Sequence, residues 1–265
     1  MKNSYRMKKY ILDLKVTENL RLHTNYVLLK FTTVDGSSLP PMAPGQFAEV
    51  RVDGSPTTFL RRISINYIDM DNNELWLLIQ LVGDGTKKLS TVSPGQTVNM
   101  VLPLGNTFTI PEDKASQLIL IGGGIGTAPM LYLGYELKQQ GFNPIFLLGA
   151  RSATDILQLK EFKTLGDVFI TTEDGTLGEK GYVTQHSVLI ENKFDKIYTC
   201  GPKPMMMAIA KYAKTHNIDC EVSLENNMAC GVGACLCCVE KTTEGHICVC
   251  KEGPIFNINK LLWQI

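Results

Sequence analysis

The sequence lacks three features that would assign it to common classes of protein. It has no net charge, with 26 Lys and Arg against 26 Asp and Glu, so nothing favours a nucleic acid or an anionic membrane as partner. No apolar run approaches the length of a membrane span. The basic start is followed only by Tyr10-Ile11-Leu12 before Asp13, which is too short for the apolar core of a signal peptide. We therefore expect a cytoplasmic protein that binds neither nucleic acid nor membrane.

Cysteine is absent from the first 199 residues. All eight cysteines lie in the remainder, and six of them fall between Cys230 and Cys250. A disulfide framework would spread cysteines through the fold, whereas a tight cluster in a cytosolic chain is typical of a metal centre. The distribution therefore predicts a metal site near the C-terminus.

The composition is that of a globular protein, with 265 residues of which 44% are apolar and 20% charged, and the length suggests two domains. Turn residues such as Pro44-Gly45 and Pro94-Gly95 separate short apolar runs in the first part of the chain. The six predicted strands are Tyr10–Val16, Tyr26–Thr33, Phe47–Val52, Ile63–Ile68, Glu74–Leu81 and Thr97–Leu102. Strands at this spacing favour a closed or sandwiched antiparallel β domain.

From about residue 115, strand patterns alternate with helical ones. The predicted helices include Pro204–Thr215 and a stretch from Met130 to Leu137. The predicted strands are Leu118–Ile121, Pro144–Leu148, Val168–Thr171, Ile197–Thr199 and Glu221–Leu224. This alternation is typical of a mostly parallel sheet. The fold class is therefore α+β multidomain: a β-barrel domain at 8–110, an α/β nucleotide domain at 111–224 and a cysteine-rich subdomain at 225–265, with a hinge at Pro103–Lys114.

The cysteine segment has the spacing of a plant-type ferredoxin, Cys230-x4-Cys235-x2-Cys238 with a further cysteine later. A loop that carries three thiolates has to curl tightly, and Gly231 and Gly233 let its backbone N–H groups approach the sulfurs. We therefore predict a [2Fe–2S] cluster. A structural zinc site is the alternative, although zinc sites usually pair two Cys-x2-Cys knuckles and only one occurs here.

The fourth cluster ligand is either Cys250 or Cys248. A hairpin formed by Val239–Glu240 and His246–Val249 would return this part of the chain to the cluster. We favour Cys250, because Gly253-Pro254 gives a turn just beyond it. Cys237 and Cys248 would then be thiols that bind no iron.

A glycine-rich turn links the first strand of the α/β domain to its helix. Glycines let a backbone approach a phosphate, and a helix N-terminus favours an anion. The candidate nucleotide-binding residues of this turn are Gly122, Gly123, Gly124, Gly126 and Thr127. Cys200-Gly201-Pro202 follows a second strand end, where nucleotide sites of such sheets lie. The turn is not a strict G-x-G-x-x-G, and a turn that only packs is the alternative.

The barrel contains Arg61-Arg62-Ile63-Ser64, in which guanidinium and hydroxyl groups suit a pyrophosphate. A solvated edge strand would have the same composition. A second glycine turn, Gly83–Lys88, either holds a phosphate through its N–H groups or merely turns the chain.

The order of these motifs resembles the ferredoxin-reductase superfamily and, within it, the electron-transfer subunits of class 1B dihydroorotate dehydrogenases. The resemblance covers nearly all of residues 8–265. Its most specific stretches are Met228–Cys235, Cys250–Phe256 and Thr172–Gly178.

The resemblance implies three cofactors: FAD, a [2Fe–2S] cluster and NAD. FAD would lie at Arg61, Arg62, Ile63, Ser64, Leu78, Ile79, Gln80, Gly85 and Thr86. NAD would lie near Gly122–Thr127 and Cys200–Pro202. The cluster ligands would be Cys230, Cys235, Cys238 and Cys250.

One position departs from the family pattern, which is arginine-arginine-proline-isoleucine-serine. The proline is absent here, so either Arg61 takes the flavin role with Arg62 at the proline position, or the strand is one residue short. A slip of one residue would turn each side chain to the opposite face. The phosphate partner is therefore either Arg61 or Arg62.

The implied function is electron transfer between NAD and a catalytic FMN-containing dihydroorotate dehydrogenase subunit, in a heterotetramer with two of each subunit, in pyrimidine (UMP) biosynthesis. The cofactors carry the chemistry, so no side chain is predicted to act as acid or base. The alternatives are a subunit of an NADPH-dependent ferredoxin or sulfide oxidoreductase, and a non-enzymatic iron–sulfur or zinc protein with a vestigial barrel.

Overall fold

The computed structural model describes residues 8–54 and 60–264, and its first part is an antiparallel sheet. The strands are β1 (Tyr10–His23), β2 (Tyr26–Thr33), β3 (Phe47–Arg51), β4 (Leu60–Ser64), β5 (Tyr67–Asp69), β6 (Glu74–Gln80) and β7 (Thr97–Leu104), with helix α1 (Asp84–Leu89) before β7. Their order is β4-β3-β7-β1-β2-β6-β5. The N–H of Asn66 donates to the carbonyl of Trp76 at 3.0 Å, which joins the two ends of the curled sheet.

Apolar side chains on the inner face of this sheet form the core of the first domain. Leu14, Val27, Leu29 and Leu77 are fully buried there. The predicted antiparallel domain is confirmed. The largest differences in strand bounds are that β1 continues to His23 through its pairing with β2 and that the predicted strand Ile63–Ile68 is divided between β4 and β5. The predicted strands Phe47–Val52, Glu74–Leu81 and Thr97–Leu102 differ from β3, β6 and β7 by one or two residues at their ends.

The second part is a sheet flanked by helices. Its strands are β8 (Leu118–Gly123), β9 (Ile145–Ala150), β10 (Asp167–Thr172), β11 (Glu179–Lys180), β12 (Lys196–Cys200) and β13 (Asp219–Ser223). Its helices are α2 (Ala128–Gln139), α3 (Leu159–Leu165), α4 (Val188–Glu191) and α5 (Lys203–His216). These strands pair in parallel in the order β11-β10-β9-β8-β12-β13, which confirms the predicted α/β domain. The order changes direction between β8 and β12, and such a switch point is where ligands bind open α/β sheets.

The cysteine segment forms a small unit that joins the second sheet. The hairpin of β14 (Val239–Thr242) and β15 (Gly245–Cys248), which the sequence predicts, is followed by helix α6 (Val249–Glu252) and strand β16 (Ile255–Asn257). Strand β16 pairs antiparallel with β13. Strand β16 therefore forms one edge of the second sheet.

The predicted hinge Pro103–Lys114 is bonded to two neighbouring strands of the second sheet, β13 and β16. The Thr109 hydroxyl donates to Glu221 at 2.6 Å, and the Asn106 amide donates to the carbonyl of Ile255 at 2.8 Å. No helix in the described part of the chain is long and apolar enough to cross a membrane.

Candidate functional site

The loop after Ala229 wraps around the sulfur of Cys230. The backbone N–H groups of Ala234 and Cys235 donate to this sulfur at 3.2 and 3.4 Å. The loop takes left-handed conformations at Gly231 (φ +62°) and Gly233 (φ +83°), which glycine adopts without steric cost. Hydrogen bonds from the backbone N–H groups of Val232 and Cys235 lower the pKa of the Cys230 thiol to about 6. The thiolate is the form that binds iron, so the loop favours a ligand at this position.

Two further cysteines meet behind this loop. The Cys250 sulfur accepts the N–H of Gly233 at 3.1 Å, and the Cys250 N–H donates to the Cys238 sulfur at 3.3 Å. Both side chains are buried, and burial raises the pKa of Cys250 to about 12. Cys248 is half-buried and its thiol instead donates to the carbonyl of Gly233 at 3.8 Å. The geometry favours Cys250 over Cys248 as a cluster ligand.

The donor set fits an iron–sulfur cluster. The sulfurs of Cys230, Cys238 and Cys250 each accept a backbone N–H group, from Ala234, Cys250 and Gly233 respectively, while Cys235 is exposed. Among the described residues, no three His, Cys, Asp or Glu side chains are grouped as the ligands of a metal ion. A [2Fe–2S] cluster differs from a single ion because its four thiolates are divided between two irons and bridging sulfides.

The two predicted nucleotide motifs lie side by side at the switch point. Gly122 of β8 is in register with Cys200 of β12. A Cβ atom at Gly126 would overlap the carbonyl of Cys200, so only glycine lets the turn lie directly on the neighbouring strand end. The turn itself is a short 3-10 helix, Gly124–Thr127, which precedes α2. The hydroxyl of Thr127 donates to the carbonyl of Gly124 at 2.9 Å and so holds this turn closed.

A cavity of about 160 Å³ adjoins this switch point. It is lined by Gly201, Pro202, Lys203, Met206, Leu224, Glu225, Asn226, Glu240 and Trp263. It therefore extends from the end of β12 to the cysteine hairpin, to which Glu240 belongs. The cavity joins the predicted nucleotide site to the iron–sulfur segment.

Glu225 is a candidate site residue that sequence reasoning missed. It follows β13 and accepts a hydrogen bond from the Cys200 thiol at 3.8 Å. Burial raises the pKa of the Cys200 thiol, so this thiol stays protonated, while Glu225 is exposed at the cavity. No motif marks Glu225, because its neighbour Cys200 lies on a different strand.

In the barrel, one of the two candidate phosphate arginines already has partners. The Arg62 guanidinium donates to the Glu49 carboxylate at 3.1 Å and to the carbonyl of Ala229 at 2.6 Å. The backbone of Arg61 pairs with Val50, and the side chain of Arg61 lies outside the described part. These contacts leave Arg61 as the better candidate for a pyrophosphate.

The remaining candidate flavin residues differ in burial and in hydrogen-bond partners. Ile63, Leu78 and Ile79 are buried core residues, so their side chains are occupied by packing. The Gln80 amide donates to the hydroxyl of Tyr26 at 3.1 Å. The Thr86 hydroxyl, which follows Gly85, donates to the carbonyl of Gly83 at 3.0 Å and accepts the N–H groups of Val82 and Gly83 at the start of α1. Ser64 is half-buried at the end of β4.

Comparison with known proteins identifies two domains in the chain. Residues 225–262 match the model described as the iron–sulfur cluster binding domain of dihydroorotate dehydrogenase B, and residues 120–211 match the oxidoreductase NAD-binding domain. An electron transfer subunit of dihydroorotate dehydrogenase B (NAD(+)) from Lysinibacillus sphaericus is 37% identical over 92% of this chain and 95% of its own length. The Fusobacterium nucleatum subunit of the same name is 34% identical over the same shares. The chain belongs to this family.

Solved structures confirm the fold. The structure of an NADH-dependent reduced ferredoxin-NADP oxidoreductase has a TM-score of 0.84 and 25% identity, and the match covers 94% of this chain and 90% of that one. An Amycolatopsis cytochrome P450 reductase has a TM-score of 0.68 at 22% identity, with 79% of this chain and 67% of that one covered.

Membership of this family confirms several predictions. The function is that of an electron transfer subunit of an NAD-linked oxidoreductase, and the cofactor set is an iron–sulfur cluster, NAD and a flavin of the ferredoxin-reductase type. The name of the relatives implies a catalytic partner subunit. These findings favour the main prediction over the NADPH-dependent ferredoxin or sulfide oxidoreductase.

Proposed function

We propose that the chain carries electrons between NAD(H) and an FMN-containing dihydroorotate dehydrogenase subunit, through FAD and a [2Fe–2S] cluster, in the cytoplasmic synthesis of pyrimidines. The observation that carries this proposal is the cysteine loop, in which backbone N–H groups are aimed at sulfurs while Cys235 is exposed. An exposed cluster edge gives a second subunit access to its electrons. The assembly contains two copies of each subunit.

The proposed cofactor sites divide among the three parts of the fold. Arg61 and Ser64 hold the flavin with the backbone of 78–80 and of Gly85–Thr86. The nicotinamide nucleotide lies on Gly122–Thr127 and Cys200–Pro202. Iron is bound by Cys230, Cys235, Cys238 and Cys250. A flavin held at its proposed site would supply the conversion between two-electron hydride chemistry and one-electron transfer.

The residues of the chain position the cofactors and stabilise their negative charges. The Arg61 guanidinium offsets the pyrophosphate charge, as arginine commonly does at such groups. Gly126 lets the nucleotide turn lie against Cys200, and the Cys200 thiol donates to Glu225 beside the cavity at the end of β12. N–H groups on the Cys230 and Cys250 sulfurs stabilise the negative charge of the cluster.

Co-purification tests the proposal most directly. A tagged chain, expressed with the dihydroorotate dehydrogenase of its own genome, should yield a complex that contains FAD, FMN, iron and labile sulfide. This complex should reduce orotate with NADH, and the catalytic subunit alone should not. A chain that purifies without flavin and is not reduced by NADH would contradict the proposal, as would a complex that leaves orotate unchanged.

A further inference from the structure

A buried ion pair lies directly beneath the cysteine loop. Glu49 of β3 and Arg62 of β4 are opposite each other in the sheet, and their side chains meet at 3.0 Å. The side chain of Glu49 is 4% exposed and that of Arg62 is 21% exposed. Removing two charges from water is costly, and a buried pair often adds little net stability. Stability of the fold alone therefore does not account for an ion pair beside Cys230.

Both members of the pair contact the backbone that flanks Cys230. Arg62 donates to the carbonyl of Ala229, the residue before this cysteine, at 2.6 Å. Gly231, the residue after it, is so close that a Cβ atom there would lie 2.8 Å from a carboxylate oxygen of Glu49. Gly231 also adopts φ +62°, which suits glycine. The two charges thus support Cys230 from both sides.

Arg62 lies on β4, the strand that carries the proposed flavin residues Arg61 and Ser64, and Glu49 lies on the neighbouring strand β3. The two strands β3 and β4 therefore contact both cofactor sites. We propose that Glu49 and Arg62 are positioning residues that fix the Cys230 loop against the flavin strand and balance the charge beside the cluster. This inference rests on the proposed [2Fe–2S] site.

The charges make opposite electrostatic contributions to a cluster at this site. A one-electron reduction adds one negative charge to the cluster, which a nearby cation stabilises and a nearby anion opposes. Loss of Arg62 alone leaves the Glu49 carboxylate and should lower the reduction potential. Loss of Glu49 alone leaves the guanidinium and should raise the potential. Loss of both should return the potential towards the wild-type value.

The positional role has a separate consequence. The hydrogen bond from Arg62 to Ala229 is lost in every variant that lacks the guanidinium, whatever the net charge. A hydrogen bond to a charged group contributes about 1.5 kcal/mol or more, so a chelator should remove iron on the order of tenfold faster. The Glu49→Gln variant keeps this bond and should release iron more slowly than the variants without Arg62.

The test uses the full chain purified with its flavin and cluster. Redox titration followed by electron paramagnetic resonance gives the potential of Arg62→Met, Glu49→Gln and the double variant, and chelator kinetics give iron release. Arg62→Lys keeps the charge and should keep the potential even if the loop loosens. Arg51→Met is the matched control, because Arg51 is on the same strand as Glu49 and pairs with the exposed Asp53 at 2.7 Å.

Opposite shifts in the two single variants, with recovery in the double variant, would support the inference. Equal shifts of one sign, or no shift beyond that of Arg51→Met, would overturn it. If Arg62→Met retains no cluster, Glu49→Gln should still raise the potential while Arg62→Lys keeps it, and a Glu49→Gln potential equal to that of Arg51→Met would overturn the inference. A wild-type chain without iron and labile sulfide would refute the proposed cluster itself, and this inference with it.

Discussion

At the scale of single residues, the cysteines on either side of Val249 have different surroundings. The sulfur of Cys250 lies among Gly233 and Cys238, whereas the thiol of Cys248 donates to a carbonyl. We predict that Cys250→Ser loses most of its iron and labile sulfide and that Cys248→Ser keeps both. Iron analysis and visible absorbance of the purified variants measure the difference.

Cys237→Ser is the matched control for the cysteine series. Cys237 is exposed and adjoins the proposed ligand Cys238, so its substitution tests whether any change in this segment expels iron. The variant should retain the cluster. A chain that keeps iron without Cys250 and loses it without Cys248 would reverse the assignment.

The spacing of residues along the chain could predict three of the proposed ligands but not the neighbours that support them. Cys230, Cys235 and Cys238 form a local pattern, so they are recognisable from the sequence. Arg62 and Ala229 are 167 residues apart, and no local pattern relates them. The sequence alone therefore leaves the choice between Arg61 and Arg62 open, and the contact of Arg62 with Glu49 favours Arg61 for the flavin.

At the scale of elements, the glycine turn is defined by what it packs against. A side chain at Gly126 would overlap the Cys200 carbonyl, and overpacking of this kind costs about 1–3 kcal/mol. We predict that Gly126→Ala weakens NADH binding by on the order of tenfold or more, because the turn must move away from β12. Titration of flavin reduction with NADH measures the change.

Gly141→Ala is the control for this substitution. Gly141 has φ +87°, so alanine is strained there, but a Cβ atom would meet open space at the end of α2. This variant should lose stability without losing affinity for NADH. Equal affinities in the Gly126 and Gly141 variants would show that close packing of the turn does not shape the nucleotide site.

The spacing of apolar residues predicts an element whose own sequence carries the pattern. It does not predict an element that forms only because it pairs with a neighbouring strand. Strand β8 is entirely buried, so it was predictable from four consecutive apolar residues. Strand β16 has only three residues and exists through its pairing with β13. The second half of β1 is similar, because its polar residues are held in the sheet by β2.

At the scale of the whole molecule, Lys196 bonds the predicted hinge, Pro103–Lys114, to the nucleotide domain. Its ammonium group, 8% exposed, lies 2.6 Å from the Thr109 hydroxyl, 2.8 Å from Asp219 and 3.5 Å from Glu221. Lys196→Met would leave the Glu221 carboxylate buried without a cation. We expect a loss of about 3–5 kcal/mol in the free energy of unfolding, measured by denaturant or thermal melts.

Lys260→Met is the corresponding surface control. Lys260 pairs with Glu244 at 2.9 Å, but both side chains are about half exposed or more, and such pairs contribute about 1 kcal/mol or less. The two lysine variants should therefore differ clearly in unfolding midpoint. Similar midpoints would mean that the contacts of Lys196 with Thr109 and Glu221 do not hold the predicted hinge in place.

The barrel and the nucleotide domain also meet through two buried amides. The Asn66 amide donates to the Gln158 carbonyl oxygen at 3.0 Å, and the Gln158 amide returns the bond at 2.9 Å. Asn66 also donates to the carbonyl of Ala128, where α2 begins after the nucleotide turn. This contact joins the proposed flavin strand to the turn that we propose binds NAD.

Hydride transfer requires the donor and acceptor atoms to be closely aligned, so a small domain rotation is costly. Gln158→Ala leaves Asn66 with an unpaired buried carbonyl, which costs about 1–3 kcal/mol. We predict that flavin reduction by NADH slows by on the order of tenfold or more in stopped-flow measurements, while iron content stays unchanged. Asn72→Ala, which removes an amide bonded to Asp69 in an exposed turn, should reduce flavin at the wild-type rate. A normal rate in Gln158→Ala would show that the remaining interface alone sets the distance between the two cofactors.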